Sequence, residues 1–401
     1  MELEFGEEYE AFRREVRNFI ESNKDSVPRT RNPRAPEVLN WQQKLIDAGY
    51  AARTIPREYG GFGAQPDILK SRIIGEEFAR AQVPGGLSNQ GISMLVPTLL
   101  ELGTEAQKQR FIAPTLRGEI IWCQGYSEPN AGSDLASLST RAELVEDRWV
   151  VNGQKIWTSG AHYSDWIFCL VRTEPEAKKH HGISYLLFSM DSPGIEVRPL
   201  KTMTGDASFN EVFFTNVQVP AGQIVGERGK GWQVANATLR HERGMLGDPD
   251  ALLTRFNSLV RLMQQETLDG ESLMQHPVFR DRLMAIQGRI MAMRFNDLRI
   301  LSAQLNQGGP SAVGSDLARL IVKLQGTELR HDLEGLAIDV LGELGILYED
   351  SPYLRNGGSW QAQYMFYLGL IIGGGTSQIQ KNIISERGLN MPREPRHPPT
   401  S

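Results

Sequence analysis

Apolar residues near the start of the chain recur at alternating spacings of four and three, which predicts an amphipathic helix over residues 5–20. They are Phe5, Tyr9, Phe12, Val16 and Phe19. Similar patterns predict helices at 37–48, 66–82, 91–103 and 104–117. Thr104 is placed to cap the last of these. The first domain, residues 1–120, is therefore predicted to be entirely helical.

Beyond residue 121 the pattern changes to short apolar runs separated by turn residues, which is typical of antiparallel strands. The runs lie at 148–151, 155–157, 165–171, 183–189, 195–200 and 210–219. Asn152-Gly153 stands between the first two, and this dipeptide is the strongest short signal for a hairpin turn. We therefore expect a β-domain over residues 121–233, built as a small antiparallel barrel or sandwich.

Helical spacing returns after Trp232. Apolar residues from Phe279 onward predict a helix that reaches Leu305, and a second long helix is predicted at 313–345. With the segments near 236–265 and 376–388, these helices would make a four-helix bundle over residues 234–390. The tail, 391–401, contains four prolines and is predicted to be disordered. The expected fold class is thus α+β, with helical, β and helical domains in that order.

Composition narrows the class of protein. A chain of 401 residues exceeds one compact core, and its net charge of −5 argues against a nucleic-acid partner. The sequence contains no run of 18 apolar residues, and residues 1–20 lack the apolar stretch of a signal peptide, so we expect no membrane span and a cytoplasmic protein. Two cysteines and the adjacent pair His180-His181 make a poor metal site, so no metal is expected.

Chemistry-bearing residues concentrate in two stretches of the β-domain. The loop at 126–134 places Ser127, Ser133 and further polar residues around Pro129, and such a loop can hold a polar heterocycle. The second stretch delivers Trp157 followed by Thr158 and Ser159, an indole beside two hydroxyls that would suit a flat cofactor. On the residues alone, a cofactor site and an ordinary domain rim both remain open.

A third stretch, IIGGGTSQIQ at 371–380, carries three glycines followed by Thr376. Unobstructed N–H groups at the start of a helix favour an anion or pyrophosphate site. A glycine-rich turn with a threonine cap explains the same residues. Both interpretations remain open at this point.

Together the three stretches resemble the acyl-CoA dehydrogenase family of flavoproteins, and the resemblance covers nearly the whole chain. YSEPNAGSD at 126–134 resembles that family's Tyr-x-Ser/Thr-Glu-Pro-x-Ala-Gly-Ser-Asp loop, WTS at 157–159 resembles its Trp-x-Thr/Ser segment, and GTSQ at 375–378 resembles its Gly-Thr-Ser-Gln segment. The resemblance implies FAD, held between the β-domain and the C-terminal bundle, with Trp157 against the isoalloxazine ring. The implied cofactor contacts are Tyr126, Ser127, Ser133, Trp157, Thr158, Ser159, Gly375, Thr376 and Gln378.

The resemblance also implies a catalytic base. One branch of the family has a glutamate before the Gly-Thr pair, whereas this chain has Gly374, which cannot take a proton. Other branches supply the glutamate from the first helix of the C-terminal domain, and Glu242 matches that position. On the residues alone, Glu242 beside His241 and Arg243 would be a solvated ion-pair face. Within the family frame, Glu242 removes the α-proton of an acyl thioester, while Arg243, Ser133 and Gly374 approach the substrate.

Two departures concern the ADP half of the flavin. The family's Arg-x-x-Phe-Gly segment is missing from 267–282, and its Gln-x-x-Gly-Gly segment is replaced by DVLGELG at 339–345. That half would be bound differently, or by only one kind of subunit in a mixed oligomer. Gly374, the His-Glu-Arg-Gly stretch and SERGLNMPRE at 385–394 resemble a bacterial subgroup that acts on bulky acyl-CoAs such as steroid side-chain thioesters, some of whose members pair unlike subunits.

The expected function is an FAD-dependent acyl-CoA dehydrogenase that passes electrons to an electron-transferring flavoprotein, as a homo-oligomer or with a related subunit. A non-catalytic partner subunit of a heteromer is the alternative. A flavin oxidase or monooxygenase of the same fold also remains open, because oxygen reactivity is not readable from sequence.

Overall fold

The computed structural model describes residues 6–245, 247–305 and 315–393, with side chains for all of these except 242–245, 304–305 and 315–316. The chain divides into two compact units. The first comprises Met1–Lys201 and Ala207–His241, and the second comprises Thr202–Asp206 and Glu242–Ser401.

The first unit begins with the helices predicted from the sequence. They are α1 (Glu7–Ser22), α2 (Pro36–Asp47), α3 (Ile68–Ala81), α4 (Val96–Leu102) and α5 (Glu105–Leu116). The apolar face of α1 packs against α2 and α3 through Phe12, Val16 and Trp41. Phe5 lies outside the described residues.

Two helix ends show how local sequence sets the boundaries. Thr104 and Gln107 form a reciprocal capping box at the start of α5, as the sequence predicted. The single helix predicted at 91–103 instead begins as a π-helical turn, Gly91–Leu95. Pro97, near the start of α4, has no N–H to continue the ordinary helical pattern through this turn.

The β-domain is one eight-stranded, mostly antiparallel sheet. Its strands are β1 (Trp122–Gly125), β2 (Arg141–Val145), β3 (Arg148–Lys155), β4 (Trp166–Arg172), β5 (Ile183–Ser189), β6 (Ile195–Leu200), β7 (Phe209–Pro220) and β8 (Ile224–Val225). Their order is β6-β7-β3-β2-β4-β5-β8, and β1 pairs in parallel with β4. The ring centroids of Phe188 in β5 and Phe214 in β7 are 5.5 Å apart, although three strands lie between β5 and β7 in the sheet. The sheet therefore curls back on itself.

The hairpin predicted at Asn152-Gly153 is wrong. Both residues lie inside β3, at an irregularity in its pairing with β7, and the two-residue turn is at Glu146-Asp147. Gly153 is needed for another reason. Its φ is +149°, and a Cβ there would lie 2.6 Å from Thr140 Cα. The strand predicted at 155–157 is also wrong, because β3 ends at Lys155.

The second unit is helical. Its elements are α7 (Pro249–Gln265), a small hairpin of β9 (Thr267–Leu268) and β10 (Glu271–Ser272), α8 (Pro277–Leu305), α9 (Ser315–Leu341), α10 (Ser359–Ile372) and α11 (Ser377–Ile383). Helix α6 (Gly231–Met245) leads into this unit from the first. Residues of α7, α8, α9 and α10 share one hydrophobic core.

The membership of this bundle differs from the prediction. Its fourth helix is α10, whereas the segment at 376–388 forms the short α11 followed by a π-helical turn. Helix α10 was missed because its apolar residues are not confined to one face, so the sequence shows no helical stripe. The predicted helix at 313–345 ends at Leu341 and continues as a 3₁₀ turn, Gly342–Ile346. The proline-rich tail lies outside the described residues from 394 onward.

Candidate functional site

Two of the predicted segments lie side by side in the first unit. The Ile156 N–H donates to the Ser127 carbonyl oxygen at 2.9 Å, and the Lys155 ammonium donates to the Tyr126 carbonyl oxygen at 3.0 Å. The loop that begins at Tyr126 and the segment that carries Trp157 are therefore joined by hydrogen bonds. The structure thus places Lys155 and Ile156, which directly precede Trp157, against the predicted residues Tyr126 and Ser127.

A buried ion pair lies at this junction. Lys155 Nζ is 2.8 Å from Glu128 Oε1, and the two side chains are 0% and 5% exposed. Glu128 also accepts hydrogen bonds from the N–H groups of Ser139 and Thr140, at 2.6 and 2.9 Å. The carboxylate is well supplied with donors, so the pair can fix the loop without leaving a buried charge unpaired.

The protonation state of Glu128 follows from these contacts. Burial by itself would raise the pKa of this carboxyl group, but the Lys155 charge and the hydrogen bonds from Lys155, Thr140 and Ser139 lower it from 4.5 to about 2. Glu128 is therefore ionised at neutral pH. A carboxylate with so low a pKa is a weak general base, so its role is structural.

Trp157 presents its indole to the surface from a strained main chain. Its φ is +60°, a value that bulky residues seldom adopt, and its side chain is 57% exposed. The ring of Phe209 lies edge-on to the indole at a centroid distance of 6.0 Å. A flat, apolar surface is thereby held open on one side.

Asn210 forms two hydrogen bonds with Thr158, the residue after Trp157. The Thr158 N–H donates to the Asn210 carbonyl oxygen at 3.0 Å, and Asn210 Nδ2 donates to the Thr158 carbonyl oxygen at 2.9 Å. The Gly160 N–H donates to the Ser208 carbonyl oxygen at 2.9 Å. Asn210 is fully buried, so hydrogen bonds from the protein interior fix the conformation of residues 157–160.

The Thr158 hydroxyl is buried and, among the described residues, has no hydrogen-bond partner. Leaving a buried hydroxyl unpaired costs about 1–3 kcal/mol, which a bound polar group can recover. The exposed indole, this hydroxyl and the half-buried Ser127 and Ser159 combine an apolar face with polar atoms. That set of groups fits a flavin, which is an aromatic ring system with several hydrogen-bonding atoms.

Tyr126 and Ser133 lie at opposite ends of the loop. Tyr126 is 5% exposed, and its ring packs edge-on against Phe168 and Tyr185, with centroids 6.1 and 6.3 Å away. Ser133 is exposed and precedes Asp134, whose carboxylate pairs with Lys179. The loop therefore runs from the core to the surface.

The glycine-rich stretch of the second unit forms a turn between α10 and α11. Gly374 and Gly375 have φ values of +66° and +102°, and a Cβ at Gly375 would lie 2.7 Å from Gln380 Nε2. Thr376 caps α11, because its hydroxyl oxygen accepts from the Ile379 N–H at 3.2 Å. The main chain thus forms a glycine-rich turn that ends in a threonine cap. Contact of Gly375, Thr376 and the exposed Gln378 with a cofactor stays a prediction.

Two buried side chains support this turn. Lys323 of α9 donates to the carbonyl oxygens of Ile371 and Gly375, at 2.9 and 2.7 Å. Gln380 donates to the Gly374 carbonyl oxygen at 2.9 Å. Both side chains are 1% exposed, so the turn rests on the interior of the helical unit.

The predicted base lies on α6. The side chains of Glu242 and Arg243 are outside the described residues, so both assignments stay predictions. Just before them, Arg240 pairs with Glu101 at 2.9 Å. Burial, and then the Arg240 charge, lower the pKa of His241. A neutral His241 is consistent with the structural role expected for it.

The segments that depart from the family pattern have their own structure. Residues 267–272 form the β9–β10 hairpin, whose turn residues Asp269 and Gly270 both have positive φ. Asp339, in the place of the family's glutamine, pairs with Arg282 at 2.7 Å. Holding the ADP half of a flavin here therefore stays an open prediction.

The supporting residues were not predicted from the sequence; they are Glu128, Lys155, Asn210, Lys323 and Gln380. A signal existed for the lysines. Lys155 continues the inward-facing positions of β3, and Lys323 interrupts an apolar helical run. Both lysines are therefore expected to be buried, and a buried ammonium group needs hydrogen-bond acceptors. The acceptors themselves lie 27 to 52 residues away in sequence, so their identity was not readable.

The described residues include no cluster of His, Cys, Asp and Glu that could hold a metal ion. None of the helices in the described part of the chain combines the length and the apolar character of a membrane span.

Comparison with known proteins gives consistent matches along the chain. Models of the acyl-CoA dehydrogenase N-terminal, middle and C-terminal domains match residues 6–119, 123–217 and 229–389. Acyl-CoA dehydrogenase IpdE1 of Mycolicibacterium smegmatis is 38% identical, over 96% of this chain and 99% of that protein.

Two solved structures with similar folds carry two-component names. The Tcur3481-Tcur3483 steroid ACAD has a TM-score of 0.80 and 28% identity, over 98% of this chain and 100% of that one. A chain of the ChsE4-ChsE5 complex from Mycobacterium tuberculosis has a TM-score of 0.80 and 30% identity, with the same coverage of both chains.

Proposed function

The chain belongs to the acyl-CoA dehydrogenase family, and from this premise we propose that it is an FAD-dependent enzyme that desaturates the α,β bond of an acyl-CoA thioester. The observation that carries the proposal is the exposed Trp157 indole beside the unpaired Thr158 hydroxyl, on a segment tied to the Tyr126 loop. A surface of this composition suits a flavin better than a purely apolar ligand.

The chain's own residues would hold the cofactor from several places. Trp157 would pack against the flavin ring, and the hydroxyls of Ser127, Thr158 and Ser159 would hydrogen-bond its polar atoms. Tyr126 would border the ring, and the exposed Ser133 would lie near the flavin or the CoA arm. In the second unit, the contacts would be Gly375, Thr376 and Gln378. When bound, FAD supplies the acceptor for the hydride that leaves the substrate's β-carbon.

We assign the proton transfer to Glu242, which would take the α-proton of the thioester. An α-proton is far less acidic than a carboxylic acid, so such a base works well only where burial raises its pKa. The assignment rests on the place of Glu242 in α6 and on Gly374, which has no side chain to accept a proton. Arg243 would bind the CoA portion of the substrate.

The electron acceptor in this proposal is an electron-transferring flavoprotein, and the acyl group is branched or ring-bearing. Gly374 puts no side chain at the position where another branch of the family has a glutamate, which leaves room for a bulky acyl chain. The similarity to a structure named as a steroid ACAD supports the same substrate class.

A glutamine substitution at Glu242 tests the mechanism. Glu242→Gln should retain the flavin absorption of the wild type but lose acyl-CoA-dependent flavin bleaching by roughly a thousandfold, because the amide cannot accept the proton. Glu227→Gln is the matched control. Glu227 is exposed, and its ion pair among the described residues is with Lys230, three positions later in the chain. Wild-type rates in Glu242→Gln would remove Glu242 from the mechanism.

A panel of acyl-CoA thioesters tests the substrate class. Under anaerobic conditions, branched and ring-bearing thioesters should reduce the flavin faster than straight short-chain ones. The opposite order would count decisively against a bulky substrate.

A second candidate function is that of a partner subunit in a heteromeric dehydrogenase. Gly374 favours it, because this position carries no carboxylate. The β9–β10 hairpin and Asp339 also favour it, because they replace the segments that the family uses for the ADP half of the flavin. The similar structures, moreover, have two-component names. The absorption spectrum of the chain expressed alone separates the two functions. A flavin band near full occupancy supports the enzyme, and its absence, with recovery on co-expression of a related subunit, supports the partner.

A further inference from the structure

We propose that Lys323 and Gln380 are positioning residues that set the glycine turn for its cofactor contact, an inference that rests on the proposed function. Lys323 lies on α9 and donates to the carbonyl oxygens of Ile371 and Gly375. Gln380 lies on α11 and donates to the carbonyl oxygen between them, that of Gly374. Three carbonyls in a five-residue stretch are thus held by two buried side chains.

Because the peptide bond is planar, the hydrogen bonds to the carbonyl groups also fix the direction of the N–H groups on the opposite face of the turn. In a trans peptide the N–H points away from the C=O, and the described residues contain no cis peptide. The carbonyls of Gly374 and Gly375 face Gln380 and Lys323, so the N–H groups of Gly375 and Thr376 point away from those two side chains. These residues are the ones assigned to the cofactor, and the buried donors fix their orientation.

The ammonium group of Lys323 is suited to this position. Ile371 lies in the last turn of α10, where the helix dipole places partial negative charge, and a cation is stabilised there. Burying an ammonium is costly unless acceptors replace its water, and the two carbonyls do so. Lys323 therefore ties the end of α10 to the glycine turn, and a neutral side chain of the same length would not.

A second buried polar group on the same helix supplies the matched control. Glu334 of α9 is fully buried and pairs with Arg255 and Arg330, both at 2.6 Å. Its hydrogen bonds with these two arginines join α7 and α9 and do not involve the turn. Loss of Glu334 should destabilise the unit, as loss of Lys323 would, but should leave the turn's main chain in place.

The experiment measures FAD dissociation and the flavin absorption spectrum of full-length holoprotein, together with its melting temperature. Lys323→Met should bind FAD about tenfold more weakly or worse, because two charge-assisted hydrogen bonds are lost. Glu334→Gln should melt earlier yet keep the wild-type FAD affinity and spectrum. Lys381→Met, at an exposed position on α11, should change neither property. FAD loss in Lys323→Met no greater than in Glu334→Gln would overturn the positioning role.

Gln380→Glu gives an independent test should Lys323→Met fail to fold. When ionised, the new carboxylate would repel the Gly374 carbonyl and compete with the Gly375 carbonyl for the Lys323 ammonium. When protonated, it would donate to the Gly374 carbonyl. FAD should therefore dissociate faster at pH 8 than at pH 5.5, and the exposed control Asn382→Asp should show no such dependence beyond that of the wild type. Equal pH dependence in both variants contradicts the proposal. Wild-type protein that binds no FAD at all would instead overturn the proposed function.

Discussion

Two buried lysines support the two regions assigned to the cofactor, and they do so differently. Lys155 in the β-domain forms an ion pair with Glu128 as well as donating to the Tyr126 carbonyl oxygen. Lys323 in the helical unit donates to two carbonyl oxygens of the glycine turn. The β-domain segment is also anchored by the pairing of β3, whereas the turn depends on side chains beneath it and on glycines with positive φ.

This difference has a consequence for pH. The strength of the Glu128 ion pair depends on whether its carboxyl group is ionised. Main-chain carbonyls do not titrate, so the hydrogen bonds that Lys323 makes to them keep their acceptors at any pH. The two supports can therefore be separated by mutation, and acid acts directly on the Glu128 carboxylate of the β-domain support.

The largest effect is expected from Lys155→Met. It leaves the Glu128 carboxylate buried without its cation, and breaking a buried pair in this way costs about 3–5 kcal/mol. Urea denaturation should show this loss in the free energy of unfolding, with Lys178→Met as an exposed control. Adding Glu128→Gln to Lys155→Met should recover part of the loss. A double variant no more stable than Lys155→Met would show that the charge is not the cause.

Acid should weaken the β-domain support next. The pKa of Glu128 is lowered by folding from 4.5 to about 2, so its contribution to stability is present above pH 4.5 and is lost as the pH falls toward 2. A shift of this size corresponds to about 3 kcal/mol. Glu128→Gln should flatten the fall in unfolding free energy across that window. An unchanged slope in the variant would contradict the assigned pKa.

The smallest effect concerns the turn. Gly375→Ala must place a side chain at a φ of +102° and push aside the Gln380 amide, at a cost of about 1–3 kcal/mol. Gly288→Ala is the matched control, because Gly288 lies inside α8 and a Cβ added there would meet no atom within 4 Å beyond the helix's own main chain. That control should gain up to about 1 kcal/mol from helix propensity. Thermal unfolding should show a loss of stability for Gly375→Ala and a gain for Gly288→Ala. A Gly375→Ala variant as stable as the wild type would show that the turn tolerates a side chain.

The residues proposed to contact the cofactor can be read from the sequence, whereas the groups that hold them cannot. Trp157, Thr158 and the glycines at 373–375 stand in short, recognisable stretches, so their proximity to turns and helix starts was readable. Asn210 and Lys323 act through contacts formed only when distant segments fold together. The main-chain path was also misread where local signals conflict with the fold, as at Gly153, where a hairpin dipeptide serves a strand irregularity.

The three-domain order was predictable because the period of the apolar pattern changes twice along the chain. Helix α10 was not, because a segment that is apolar on all sides carries no period. Its end at Ile372 nevertheless defines where the glycine turn begins, so the missed helix positions a predicted site.

The exposed indole of Trp157 has a practical consequence for spectroscopy. Of the seven tryptophans, Trp41, Trp122, Trp149 and Trp360 are buried, and Trp166 and Trp232 are half-buried. A small neutral quencher such as acrylamide should therefore extinguish the fluorescence of Trp157 first. The chain thus contains a built-in optical reporter, and shielding of its emission from the quencher would register an occupant above that ring without any added label.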